Sequence, residues 1–305
     1  MAVLFIVSAE EGAGKTALCG GLAVNFIKSG KTLGYLKSGK NDGDVAFMKR
    51  VAGSAGTIES ATAVSGEGVV LVEASLGPKV SDAQAALALA KKMDARVVAI
   101  EAFTGQASKQ IEVYKWFGGN FVGVVLNKVP AGQLKSVKEK AAANFSAAGL
   151  KLLGAIPENR SLLSVSVGEI AEAVKGKILN NPEKSGELVE NYMLGAMVVG
   201  SAIPYFERKT RKAAIIHQDR SDMQLAALET PTQALVLSGR AEPPTESVMS
   251  RARARGVPVI ATDSSTPEII AEIEGLLSTA RVSQEKKLEG LGDLVKQNID
   301  IKVLA

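Results

Sequence analysis

The residues that most restrict the fold stand at the start of the chain. Residues 2–8 read AVLFIVS, a short apolar run of β-branched and aromatic side chains. Ala9-Glu10-Glu11-Gly12-Ala13-Gly14-Lys15-Thr16 follows, and then ALCGGLAVNFIKSG. The pattern predicts a strand, a glycine-containing turn and a helix. Gly12 and Gly14 permit a close backbone approach that a generic turn does not need. Backbone N–H groups of such a turn wrap a phosphate, and the helix aims its positive dipole end at the same anion. The predicted phosphate contacts are Gly12, Ala13, Gly14, Lys15, Thr16 and Ala17. Lys15 is placed to reach β- and γ-phosphates, and the Thr16 hydroxyl to ligate Mg²⁺. The strict pattern opens on Gly where this chain has Ala9, so the match is one residue short.

At 305 residues a single compact core is possible, but two domains are expected. The 46% hydrophobic fraction and 22% charged fraction are those of an ordered globular protein. With aromatics at 4%, a tightly packed α/β arrangement is favoured over a β-sandwich. The net charge of +4 comes from interspersed acids and bases, which argues against nucleic-acid binding. The single cysteine, Cys19, cannot form an internal disulfide and reads as a small core residue. The first apolar run is too short for a signal peptide, and no apolar stretch reaches the ~20 residues of a membrane span. The expected location is the cytoplasm.

Strands are predicted at residues 32–37, 69–75, 96–102, 121–127 and 150–157. Helical segments are predicted at 45–52, 81–93, 108–117 and 132–147, and 53–68 reads as irregular. Nearly continuous apolar strands alternating with helices predict a parallel sheet covered on both faces. Residues 180–186, NNPEKSG, read as the domain boundary. The expected domains are therefore 1–180, a smaller α/β domain at 187–290, and a tail at 291–305. In the second domain 187–200 reads as helix, 212–217, 233–239 and 257–263 as strands, and 220–229, 247–256 and 267–279 as helices.

Ligands in open α/β sheets sit at the carboxyl ends of the strands. There Asp44 follows the second strand and Glu73 ends the third. Both suit Mg²⁺, which takes one or two carboxylates with phosphate oxygens and water, and Asp42 is the alternative to Asp44. Lys37 closes the second strand as a further cation for phosphate or an acidic substrate. Asn127 ends the fifth and can present a donor and an acceptor to an adenine edge. In the second domain His217, Asp219, Arg220 and Asp222 crowd one strand–helix turn. They form a ligand pocket, an interface, or a set of local caps and pairs. A lone histidine gives no metal cluster. The apolar stretch 187–206 predicts a two-fold homodimer through the second domain.

These pieces carry a resemblance. SAEEGAGKT, YLKSGKNDGDVAFM, VVLVEAS, GVVLNKVP and LLGAIPENRSL, in that order, resemble the dethiobiotin synthetase-like branch of P-loop enzymes. MLGAMVVGSAIPYF, AAIIHQDRSDMQLAALE and ALVLSGRAEPP resemble the DRTGG domain. The pairing is similar to the N-terminal region of long phosphate acetyltransferases, and no acetyltransferase activity is expected from this chain alone. The resemblance implies Lys15 and Thr16 on phosphate and Mg²⁺, Lys37 near phosphate or substrate, Asp44 and Glu73 on Mg²⁺, and Asn127 on adenine. The chain departs from it at Ala9, at Lys37-Ser38 in place of Lys-Pro, and at Glu73-Ala74 in place of Glu-Gly. The last two fall where the synthetase substrate binds.

The expected function is Mg-ATP binding with a regulatory or sensing role exerted through the DRTGG domain on a protein partner, with slow hydrolysis at most. The alternative is an ATP-dependent ligase of the dethiobiotin synthetase or cobyrinic acid amide synthase type, acting on a small carboxylate or amine. A partitioning-type ATPase needs a second early lysine where this chain has Glu10.

Overall fold

The computed structural model describes residues 2–38, 42–53, 55–57, 68–106, 108–159, 162, 164–279 and 285–304. The polar loop at 39–41 and most of the stretch 53–68 lie outside the described residues, as does the side chain of Asp42. The chain forms two compact units, Met1–Asn159 with Val282–Ala305, and Arg160–Arg281.

The first unit alternates strands and helices as the apolar runs require. Its strands are β1 (Ala2–Ser8), β2 (Thr32–Lys37), β3 (Ala55–Thr57), β4 (Gly68–Ser75), β5 (Arg96–Ala102), β6 (Phe121–Val129) and β7 (Leu152–Pro157). Its helices are α1 (Lys15–Lys28), α2 (Asp42–Ala52), α3 (Val80–Lys92), α4 (Ile111–Lys115) and α5 (Leu134–Ala147). Among the described residues the strands form one parallel sheet in the order β3-β2-β4-β1-β5-β6-β7. β1 lies between β4 and β5, so its carboxyl end opens at the point where the chain changes its winding direction, the usual ligand crevice of such sheets. On one face Phe5, Val7, Val72, Val97 and Ala99 pack with Ala83 and Ala86 of α3, Tyr114 of α4, and Val137 and Phe145 of α5. The single cysteine, Cys19, is buried in α1 as a core residue, and burial pushes its thiol well up.

The second unit holds α6 (Val167–Ala173), α7 (Ala202–Phe206), α8 (Ser221–Leu228), α9 (Glu246–Arg255) and α10 (Thr266–Thr279). Its strands are β8 (Val165–Ser166), β9 (Lys177–Ile178), β10 (Leu188–Val189), β11 (Asn191–Leu194), β12 (Lys212–His217), β13 (Thr232–Ser238) and β14 (Val259–Ala261). The main sheet runs β11-β12-β13-β14-β9, parallel except for β9. β8 and β10 form a separate antiparallel pair. The segment 187–200, expected as helix, forms β10 and β11 instead. Its apolar residues lack a helical period, and β11 pairs along the edge of β12, where Gly195 admits Ile216.

The division of the chain also differs from expectation. Residues 180–186 lie within the second unit and not between domains, because they are bonded to the turn before β14. Asn180 donates to Val257 O at 2.9 Å and accepts from Val259 N at 2.8 Å, and Lys184 Nζ donates to Gly256 O at 2.6 Å. Val167, Ile170 and Ala171 of α6 share a core with Ala213, Val236 and Ile260, which draws 164–180 into the same unit.

The expected tail is likewise part of the first unit. α11 (Glu285–Asn298) packs on α1. The approach is close because glycines meet there: a Cβ on Gly21 would collide with Val295, and one on Gly292 would lie 2.6 Å from Val24. Asn25 Nδ2 donates to Gly292 O at 2.7 Å, and Arg96 Nη2 to Val303 O at 2.5 Å. The second unit is thus inserted in the chain between β7 and α11. Among the described residues no helix is long and apolar enough to cross a membrane.

Candidate functional site

The turn between β1 and α1 has the backbone that its glycines foretell. Gly12 and Gly14 hold φ of 73° and 104°, which L side chains rarely adopt. Gly14 is also the residue before α1, and a Cβ there would collide with the Asn127 amide. Ala13 is buried, and Ala17 follows Thr16 half-buried in the first turn of α1. Asn127, at the end of β6, braces this turn: its Nδ2 donates to Ala13 O at 2.8 Å, and its Oδ1 accepts from Lys128 N at 2.9 Å.

Lys15 Nζ donates to Ser8 Oγ at 2.7 Å. Ser8 is fully buried at the end of β1, and its hydroxyl donates a hydrogen bond to Glu10 O at 2.7 Å. Burial pulls the Lys15 ammonium below its ordinary value, with the Glu73 charge acting the other way. A cation held partly out of water with a neutral hydroxyl as its acceptor is suited to an incoming anion.

Beside it, β2, β4 and α2 bring charged groups together. Lys37 and Glu73 are register partners on β2 and β4. Lys37 Nζ donates to Glu73 Oε1 at 3.0 Å and pairs with Asp44 Oδ2. Burial alone would lower the Lys37 ammonium, but the bonds and charges of Asp44 and Glu73 outweigh it and raise it. Thr16 Oγ1 lies 3.1 and 3.0 Å from the two Glu73 oxygens and 3.4 Å from Asp44 Oδ2. Tyr35 donates its hydroxyl to Glu73 Oε2 at 2.7 Å. Thr16, Lys37, Asp44 and Glu73, predicted from strand and helix ends, therefore lie in one contiguous network, while Lys15 bonds to Ser8 beside it. Among the described residues no group of three or more His, Cys, Asp or Glu gathers to hold a metal ion.

Neither Ser8 nor Tyr35 is assigned a site role from sequence. Tyr35 had a readable signal, since it stands two residues before Lys37 and shares its face of β2. Ser8 had less: only its place one turn before a lysine loop.

In the second unit the predicted residues do meet, as surface pairs. His217, exposed at the end of β12, accepts from Asp219 N at 3.3 Å through Nδ1. Asp219 pairs with Arg240 and does not cap α8, whose capping position is Arg220. Arg220 Nε and Nη2 each donate to Asp222 at 2.9 Å, and Nη2 also reaches Met197 O at 3.1 Å. These solvent-facing pairs contribute little stability.

This unit has a recognisable relative. Residues 169–276 match the DRTGG domain family. The DRTGG match falls inside the second unit, Arg160–Arg281. Over 261 residues the chain is 23% identical to a phosphate acetyltransferase of Pseudomonas putida, covering 77% of this chain and 37% of that protein. The chain thus spans little more than a third of that relative. Among solved structures it is similar to the CBS and DRTGG domains of the regulatory region of Clostridium perfringens pyrophosphatase, complexed with the activator diadenosine tetraphosphate. That likeness has 18% identity and a TM-score of 0.34 over 41% of this chain and 53% of that one. It is also similar to the hydrogenase maturation factor HypB of Archaeoglobus fulgidus, at 14% identity and a TM-score of 0.32 over 51% and 81% of the two chains.

Proposed function

We propose that the first unit binds Mg-ATP at residues 9–16, and that the chain is a nucleotide-dependent regulator or sensor. Its DRTGG domain communicates the bound state to a partner enzyme. The observation that carries this reading is the surround of Thr16. Three carboxylate oxygens lie 3.0–3.4 Å from the Thr16 hydroxyl, and each of them also accepts from Lys37 or Tyr35. Hard oxygen ligands gathered in this way beside a phosphate-type loop fit Mg²⁺, completed by phosphate oxygens and water. Thr16, Asp44 and Glu73 would hold the ion, which neutralises phosphate charge. Lys15 would turn from Ser8 to the phosphates. Asn127 steadies the loop with one donor and one acceptor, and its second amide hydrogen and second lone pair suit an adenine edge.

Lys37 is the residue that the synthetase resemblance needs beside phosphate or substrate. Here both Asp44 and Glu73 engage it, which supports binding over ligation. The test is calorimetric titration of ATP with and without Mg²⁺, together with ADP release. Saturable binding that Mg²⁺ tightens is expected, the Mg²⁺ gain shrinking in Asp44→Asn, with slow ADP release. Binding indifferent to Mg²⁺ would end the cation assignment. ADP release driven by an added carboxylate or amine would move the reading to the ligase.

We further propose that the second unit forms a two-fold homodimer. Val198, Val199 and Ile203 are 73%, 50% and 43% exposed within six residues, an exposed apolar patch. Light scattering at tens of micromolar should give a dimer for the wild type and a monomer for Val198→Glu. A wild-type monomer refutes it.

A further inference from the structure

A cavity of about 580 Å³ opens between the loop after β5 and helix α5. Ile100, Ala102 and Leu126 give it an apolar floor, and Glu101 is set into that floor. Its size is that of a small-molecule site. Glu101 ends β5 half-buried. Its Oε1 accepts from Ser108 Oγ at 2.5 Å and from the Tyr114 hydroxyl at 2.6 Å. Tyr114 is fully buried with its ring stacked on Phe121, centroids 5.2 Å apart, so this donor is fixed in place. Burial and the neighbouring Glu101 charge push the Tyr114 phenol up, which keeps it a donor. Two hydroxyls on one oxygen thus orient the carboxylate. Its Oε2 has no partner among the described residues, and Glu101 makes no ion pair among them.

A half-buried carboxylate beside apolar groups is costly without a counter-cation. Lys109 and Lys140 border the cavity but stand exposed on its rim. They favour an anionic or neutral group at the far end of whatever binds. We propose that this cavity is a second ligand site, taking a small molecule with a cationic nitrogen, a guanidinium or primary amine, seated on Glu101. An amino-acid-like zwitterion meets both the carboxylate and the rim. Ala9, Glu10 and Ala13 of the phosphate-type loop also line the cavity, so the ligand would lie against the loop's outer wall. The inference does not rest on nucleotide binding, because it is tested without nucleotide.

The full chain is titrated calorimetrically with arginine, pentylamine and glutarate. Arginine and pentylamine should saturate in the millimolar range or below, arginine the tighter, and glutarate should not bind. Glu101→Gln keeps an acceptor for Ser108 and Tyr114 but loses the charge, and should weaken arginine binding by about tenfold or more. Ala141→Met narrows the cavity from the α5 wall without touching Glu101, and should abolish the same binding if Glu101→Gln folds poorly. No saturation by either cationic probe, equal binding of glutarate, or arginine affinity unchanged in both variants would overturn the proposal.

Discussion

Lys15→Ala is expected to weaken ATP binding by ~1.5–3 kcal/mol, about 10- to 150-fold, because it removes a charge-assisted contact to the phosphates. The same substitution should leave the nucleotide-free protein as stable as the wild type, or slightly more so. In the free chain Lys15 is a partly buried cation whose hydrogen-bond acceptor is the Ser8 hydroxyl, and burial already pulls its ammonium below the ordinary value. Removing it takes away a desolvated charge, and Ser8 keeps its bond to Glu10 O. Affinity and stability therefore move apart, which a merely structural lysine would not produce. Calorimetry with ATP and a thermal melt without it read the two quantities. Equal ATP affinity in variant and wild type would remove Lys15 from the phosphate site. A large loss of stability would make it a structural residue.

The same residues explain how far the sequence could be read. Strands such as 69–75 and 96–102 were legible because a strand buried on both faces must be apolar nearly throughout. Glu73 falls at the carboxyl edge of the sheet because it is a polar residue near the end of such a run, and Asp44 reaches it from the first turn of α2. What escaped depends on contacts distant in sequence. Nothing local to residues 285–298 says that they pack on α1; the glycines at 21 and 292 make sense only once the helices are seen to touch. The NNPEKSG stretch has the composition of a linker, yet Asn180 and Lys184 bond it to residues more than seventy positions away. Glu101 carries no local signal, since its hydroxyl partners lie 7 and 13 residues along the chain on a loop and a short helix.

Lys212 carries the other large effect, one of stability. It opens β12 with its side chain fully buried, and its Nζ donates to Pro231 O at 2.9 Å. Burial lowers its ammonium from 10.5 to about 8, with the Glu207 charge acting weakly the other way. Below pH 8 both folded and unfolded chains hold the proton, and the folded one bears the whole cost of the buried charge, about 3 kcal/mol. Between pH 8 and 10.5 the unfolded chain binds more protons than the folded one, so stability rises with pH through that window. Lys212→Met abolishes the charge and the bond to Pro231 O, the latter worth about 1 kcal/mol. The variant should thus be more stable than wild type by about 2 kcal/mol at pH 7, and less stable by about 1 kcal/mol above pH 11. Comparing variant with wild type at each pH cancels the other groups that titrate there. Urea denaturation of the whole chain, followed through the transition of the second unit, measures the difference. A destabilised variant at neutral pH, or a difference that does not change sign with pH, would mean that the Lys212 ammonium is solvated in the folded protein and carries no such cost.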